Sequence, residues 1–226
     1  MSGSFYNESL YPLQDEVLAE VGKIDTPFYL TGGTAISRFM LNHRYSDDLD
    51  FFVNRHPAFQ RHVEHIVEAV RPCGDVNVSF RGEDFFRILV SREEVTLKIE
   101  FVNDVAYRVG VPQVHPAGFQ IDTWENILSN KITALSRQAA KDVVDIVFIS
   151  LNHAFNWEVA INQAKQKDAW IAEQEIATFL LDFDIQKLNE VDFTPPGRAT
   201  PLLQATLRQL ARDAFNGFDN SLYQSK

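Results

Sequence analysis

The sequence predicts an α/β N-terminal half, residues 1–120, followed by an α-helical C-terminal half, residues 121–226. Three observations carry this. Apolar and polar residues alternate over 76–80, 85–90 and 95–102, the period-two mark of half-buried strands. Apolar residues recur at helical spacing over 10–21 and 59–70, so helices flank those strands. After Pro116-Ala117-Gly118 only the helical period remains.

Each element follows from its own residues. Leu13, Val17, Leu18 and Val21 form a stripe over 10–21. Residues 27–30 make a short strand that runs into Gly32-Gly33. Residues 34–42 read as a short amphipathic helix with Ile36, Phe39 and Met40 offered to the core. Residues 49–53 form the next strand, and Phe51 and Phe52 straddle its two faces. Val63, Ile66, Val67 and Val70 line one side of a helix over 59–70. The three following strands turn at 81–84 and 91–94, where Gly82, Asp84, Ser91 and neighbouring acids supply turn chemistry. Helices are expected at 123–137, 140–153, 156–167, 171–182 and 202–214. Thr123 is placed to cap the first, and the loop 192–197 interrupts the last two. Trp124, Trp157 and Trp170 fall in the helical half, as core or packing residues.

Composition narrows the class. At 226 residues and 45% hydrophobic content with 18 Phe, the chain can bury a substantial core as one large or two small domains. Its one cysteine, Cys73, excludes an internal disulfide and suits a reducing compartment. The first residues lack the basic and apolar regions of a signal peptide, and no stretch reaches the length of a membrane helix. A cytoplasmic location with no membrane partner is therefore expected. A net charge of −10 and a pI near 5.0 argue against broad nucleic-acid binding, which needs a basic footprint. The acid excess is uneven: residues 32–110 carry ten Lys+Arg against twelve Asp+Glu. Within that stretch Arg38, Arg44, Arg55, Arg81, Arg87 and Lys98 offer either a local basic rim or ordinary solvated charge.

The most informative feature is Thr31-Gly32-Gly33-Thr34 followed by Asp48-Leu49-Asp50. A Gly-Gly turn after an apolar strand lets backbone N–H groups approach a phosphate, and a helix starting there turns its positive end toward the same point. In a strand, Asp48 and Asp50 project from one face. Two carboxylates so spaced suit Mg²⁺, which takes hard oxygen ligands and shares them with substrate phosphates. Either piece alone reads as a turn or as solvated acids. Their order and spacing make the pair a candidate nucleotide site.

The run from Thr31 through His43-Arg44 to Asp48-Leu49-Asp50-Phe51-Phe52 resembles the first motif of the AbiEii/AbiGii-type nucleotidyltransferase toxins, within the polymerase-β-like nucleotidyltransferase superfamily. A second stretch, Lys131 to Arg137 and Lys141-Asp142 to Asp145, is similar to the same family's downstream helical motif. Together the two cover about residues 26–150. The resemblance implies a nucleotidyltransferase catalytic half with a mixed sheet, completed by the helical half around a nucleotide cleft. It also implies a third acid on a later strand. Strand alternation sets Val95, Leu97, Ile99 and Phe101 on one face and Lys98 and Glu100 on the other, so Glu100 is the candidate where the family often has Asp.

Carried over residue by residue, the resemblance assigns two Mg²⁺ ions to Asp48, Asp50 and Glu100. Gly32, Gly33 and the Thr34 hydroxyl would cradle the phosphates of an NTP. Lys131 would meet the same phosphates, with Asp142 organising the site. The other reading is a salt-bridge cluster tying two helices together, Lys131 or Arg137 against Asp142 or Asp145. Arg137 and Asp145 suit either reading equally, and His43-Arg44 matches the family's H-R pair. The activity implied is transfer of an NMP from an NTP to an acceptor hydroxyl, on an RNA 3′ end or a protein. Such an enzyme would act in a toxin–antitoxin or abortive-infection system with an antitoxin partner. The alternatives are a small-molecule acceptor such as an aminoglycoside, which the net acidity would attract, and a non-catalytic nucleotide-binding module.

Overall fold

The computed structural model describes residues 3–195 and 200–224. The chain forms two compact units, the first built from Met1–Ala35, Tyr45–Ala106 and Val111–Thr123. The second is built from Ile36–Arg44, Tyr107–Gly110 and Trp124–Lys226, so it takes two short segments from the earlier part of the chain.

In the first unit, α1 (Gly3–Phe5), a π-helical turn (Tyr6–Leu10) and α2 (Tyr11–Val21) run consecutively. The helix therefore starts well before residue 10, where the apolar stripe begins. The extension is held by contacts distant in sequence: the Tyr6 ring stacks on Tyr45 at 4.4 Å and its hydroxyl donates to Asp47 at 2.7 Å. Next come β1 (Tyr29–Thr31), α3 (Gly32–Ile36), β2 (Leu49–Asn54) and α4 (Phe59–Val70). They are followed by β3 (Asp75–Arg81), β4 (Phe85–Arg92), β5 (Val95–Asp104), β6 (Gln113–Val114) and β7 (Gln120–Ile121).

The described strands form one mixed seven-stranded sheet in the order β3-β4-β5-β2-β1-β7-β6. β2 runs parallel to β5 and β1 parallel to β7, while the remaining neighbours are antiparallel. The two-residue strands β6 and β7 carry too few residues for a periodic signal, and the sequence reading does not include them. β3 is an edge strand, largely exposed, with a register shift between Val78 and Phe80 that breaks its regular hydrogen-bonding edge.

The pleat divides this sheet into an apolar and a polar face. Leu49, Phe51 and Val53 of β2 are buried, as are Phe86, Ile88 and Val90 of β4 and Leu97, Ile99 and Phe101 of β5. Phe101 stacks on Phe51 at 5.7 Å and meets Phe28 edge-on at 5.4 Å, and Phe28 in turn lies 5.7 Å from Phe59 of α4. Each such ring contributes about 1.5–3 kcal/mol by leaving water. The opposite face carries Asp50, Arg87, Lys98 and Glu100, all only half-buried.

The second unit begins with a π-helical turn (Ser37–Leu41) and continues with α5 (Trp124–Ala134), a 3₁₀ turn (Leu135–Arg137) and α6 (Ala140–Asn152). It ends with α7 (Trp157–Lys165), α8 (Glu173–Leu181), a 3₁₀ segment (Ile185–Glu190) and α9 (Thr200–Asn216). Val143, Val144, Ile146, Val147 and Ile149 bury α6 on several sides, as expected of a central helix. The side chain of Asn156 caps α7 by accepting from the Val159 N–H at 3.2 Å. Trp157 is fully buried, whereas Trp124 and Trp170 are half-buried.

Two expectations change. Met40 is exposed rather than core, and Phe39 only half-buried, while Thr34, Ala35, Ile36 and Ser37 are buried. The cause is the π turn, which winds more residues into a turn and rotates positions 39 and 40 off the face that a regular helix would bury. Of the loop 192–197, Pro196 and Gly197 lie outside the described residues. No helix among the described residues is long and apolar enough to cross a membrane.

Candidate functional site

The first unit gathers the predicted acids by strand register. Thr31 of β1 pairs with Asp50 of β2, Asp50 pairs with Glu100 of β5, and Glu100 pairs with Arg87 of β4. One line across four adjacent strands thus carries an acid, an acid and a guanidinium on the polar face. Asp48 lies two residues before Asp50, and Lys98 two before Glu100, which keeps both on that face.

Asp50 also explains the glycine turn. Gly32 has φ +66°, in the left-handed region, and a Cβ built on it would collide with the Asp50 carboxylate. Glycine there is demanded twice, by backbone conformation and by the approach of the acid. Thr34 is fully buried and its hydroxyl donates to the Asp48 carbonyl, so this side chain ties the glycine turn to the D-x-D strand. The buried Gln14 holds the residues just before it, donating to the carbonyls of Ser46 at 3.2 Å and Asp47 at 3.0 Å. The Tyr11 hydroxyl accepts from the Ser46 N–H at 3.1 Å.

Cations lie directly against the acids. The Lys98 ammonium is 2.9 Å from Asp48 Oδ2 and 3.3 Å from Glu100 Oε1. Arg87 donates to the same Glu100 oxygen, at 2.7 Å from Nε. Burial opposes the charge on Lys98, but the hydrogen bond and charge of Asp48, with the charge of Glu100, outweigh it and raise the lysine above its ordinary value. Among the described residues no group of three or more His, Cys, Asp or Glu side chains stands in positions that could hold a metal ion as they are. The donor set nevertheless fits a hard divalent cation: three carboxylates on one sheet face, with an ammonium standing between two of them. In the sequence Arg87 is no more than a member of a possible basic rim, and Lys98 is that and a neighbour of Glu100 on one strand face. Alternation puts Lys98 beside Glu100 on the same strand face, but the pairing of β4 with β5 has no mark in the sequence.

In the second unit, Lys131 of α5 meets Asp142 and Asp145 of α6. Its Nζ lies 2.7 Å from Asp142 Oδ1 and 2.7 Å from Asp145 Oδ2. Asp145 is fully buried and receives Arg44 in a fork, Nε to Oδ1 at 2.7 Å and a terminal nitrogen to Oδ2 at 2.8 Å. His43 Nε2 is 2.8 Å from the same Oδ1, and Arg137 lies 3.1 Å from Asp142 Oδ2. Burial alone would raise Asp145, but the charges of Arg44 and Lys131, with hydrogen bonds from Arg44 and His43, hold it well below the usual carboxylate range. Burial likewise disfavours the Lys131 charge, and Asp145 and Asp142 together reverse that and raise it. For His43 burial prevails over the pull of Asp145, so its value is lowered and the ring is neutral at pH 7. The helical spacing of Asp142 and Asp145 is thus used to seat one lysine between two carboxylates, with Asp145 committed to the His43-Arg44 pair.

Two comparisons bear on this geometry. The crystal structure of JHP933 from Helicobacter pylori superposes with a TM-score of 0.67 at 20% identity, over 96% of this chain and 94% of that one. A second H. pylori structure, provisionally described as a nucleotidyltransferase, gives 0.64 at 21% identity, covering 96% of both chains. At such identities these likenesses establish the fold. No curated protein matches the sequence. The family described as "Nucleotidyl transferase AbiEii toxin, Type IV TA system" matches residues 17–221, a span that contains both the acids on the sheet and the lysine–aspartate cluster on the helices. With nearly the whole chain covered, it belongs to the AbiEii family of nucleotidyltransferase toxins of type IV toxin–antitoxin systems.

Proposed function

We propose that this chain transfers an NMP from an NTP to a hydroxyl on an RNA 3′ end or a protein, and that an antitoxin counters it in the cell. The observation that carries this reading is the register pairing of Asp50 with Glu100 beside a turn where only glycine fits. Asp48, Asp50 and Glu100 are the residues that would hold Mg²⁺, which when bound neutralises charge on the reacting phosphate oxygens. Gly32 and Gly33 bind the β- and γ-phosphates through the backbone, while Thr34 keeps Asp48 in place through its carbonyl. Lys131, oriented by Asp142, supplies positive charge to the triphosphate.

The acceptor oxygen bonds to the α-phosphorus as the bond from that phosphorus to the α–β bridging oxygen breaks, and pyrophosphate leaves. Glu100 takes the proton of the hydroxyl and passes it to water. Labelling assays with Mg²⁺, each α-labelled NTP, and tRNA, cell lysate or aminoglycosides as separate acceptor pools test this. Label is expected in the RNA or protein pool and is expected to vanish in Asp50→Asn, with the circular dichroism spectrum unchanged. Near-wild-type labelling by that variant would sink the mechanism. Label confined to the aminoglycoside pool would keep the chemistry and replace the acceptor.

A further inference from the structure

Like charges on one sheet face repel, and Asp48, Asp50 and Glu100 would spread apart if nothing opposed them. Lys98 opposes that, spanning Asp48 at 2.9 Å and Glu100 at 3.3 Å from a position two residues before Glu100 on the same strand. Arg87 acts differently. It reaches Glu100 from β4, and among the described residues Glu100 is the acid it pairs with. Among the described residues the Lys98 ammonium is thus the cation seen to touch both Asp48 and Glu100, where a cation shared by the two would sit.

We propose that Lys98 is the resident counter-cation of this site, competing with divalent metal for Asp48 and Glu100. The inference rests on the reading of Asp48, Asp50 and Glu100 as metal ligands. In the metal-free protein the ammonium keeps the two carboxylates close and prevents the site from filling tightly with metal alone. Entry of metal displaces the ammonium from at least one of them, and the released charge is then available to a phosphate oxygen. Metal and nucleotide would accordingly bind better together than either does alone.

The test is Mn²⁺ binding without nucleotide, followed by the spin-resonance signal of free Mn²⁺, in the full chain and in Lys98→Met, Arg87→Met and Asp50→Asn. Lys98→Met removes both a charge and the competitor, so its Mn²⁺ affinity is expected to rise about tenfold at low salt. Arg87→Met removes a charge of the same sign without freeing the position, and its affinity is expected to rise by about threefold or less. Equal gains in the two variants would reduce Lys98 to general electrostatics and overturn the proposal. So would a Lys98→Met protein that binds Mn²⁺ no better than the parent. In both of those cases, loss of binding in Asp50→Asn would leave the metal reading standing. If no protein in the set binds Mn²⁺, or Asp50→Asn binds as well as the parent, the metal reading falls and takes this inference with it. Lys98→Gln, closer in size and polarity to lysine, guards against a packing effect of methionine and is expected to follow Lys98→Met.

Discussion

Gly32 and Asp145 illustrate two ways in which a single side chain constrains this protein. Gly32 is required by what is missing: a Cβ would strike the Asp50 carboxylate in a backbone conformation that other residues rarely adopt. Asp145 is required by what surrounds it, since Arg44, Lys131 and His43 all converge on one fully buried carboxylate. Asp145→Asn leaves two buried cations short of their counter-charge and is expected to cost about 3–5 kcal/mol, read from urea unfolding. A loss below about 1 kcal/mol would mean that water already reaches the cluster, because exposed pairs are worth no more. The pH dependence has a definite sign. The folded carboxyl lies well below its ordinary value of about 3.9, so its stabilisation is complete above that pH and is lost as pH falls toward the folded value. In Asp145→Asn that contribution to acid unfolding is expected to disappear. At this scale the local motif was legible: Gly32, Asp48 and Asp50 stand close in sequence with a spacing that implies chemistry. The convergence of His43 and Arg44 on Asp145 was not, because it joins residues about a hundred positions apart, whereas the pairing of Lys131 with Asp145 is local and already readable as a salt bridge between two helices.

Among the elements, β5 has two roles. Its apolar face supplies Leu97, Ile99 and Phe101 to the core, and its polar face supplies Lys98 and Glu100 to the acid cluster. Phe101 is fully buried and makes ring contacts with Phe28, Phe51 and Phe86. Phe101→Ala is expected to destabilise by about 3–5 kcal/mol, with a lower thermal midpoint in calorimetry. An unchanged midpoint would show that the surrounding rings collapse into the space. Alternation revealed the existence of β3, β4 and β5, since the pleat repeats every two residues whatever a strand pairs with. It did not reveal that β2 would run parallel to β5, past β3 and β4 in sequence, which is the pairing that sets Asp50 against Glu100. The turn at Ser37–Leu41 escaped for another reason. A π turn has no reliable residue signature, and the misplacement of Met40 follows from assuming a regular helix there.

For the whole molecule, charge restricts which acceptors can be held and how. A net charge of −10 gives little electrostatic reason for RNA to bind without specificity. Bulk RNA is expected to run unretarded with the protein in a gel at about 150 mM salt, so an RNA acceptor would have to be recognised at its end. Retardation that weakens steeply with added salt would reveal a basic surface that summed charge conceals. The organisation into two units also departs from a simple division of the chain, because Ile36–Arg44 and Tyr107–Gly110 join the helical unit. The sequence by itself determined the kinds and order of the longer elements, though not the two-residue strands or the π turn. It also determined the glycine turn with its two acids and the family, since all of these depend on local periodicity and short spacing. Tertiary structure alone decided which strands are neighbours, that Lys98 bridges Asp48 and Glu100, and that His43 and Arg44 are buried against Asp145. Those outcomes depend on pairing and desolvation between distant segments, and neither leaves a periodic trace in the chain.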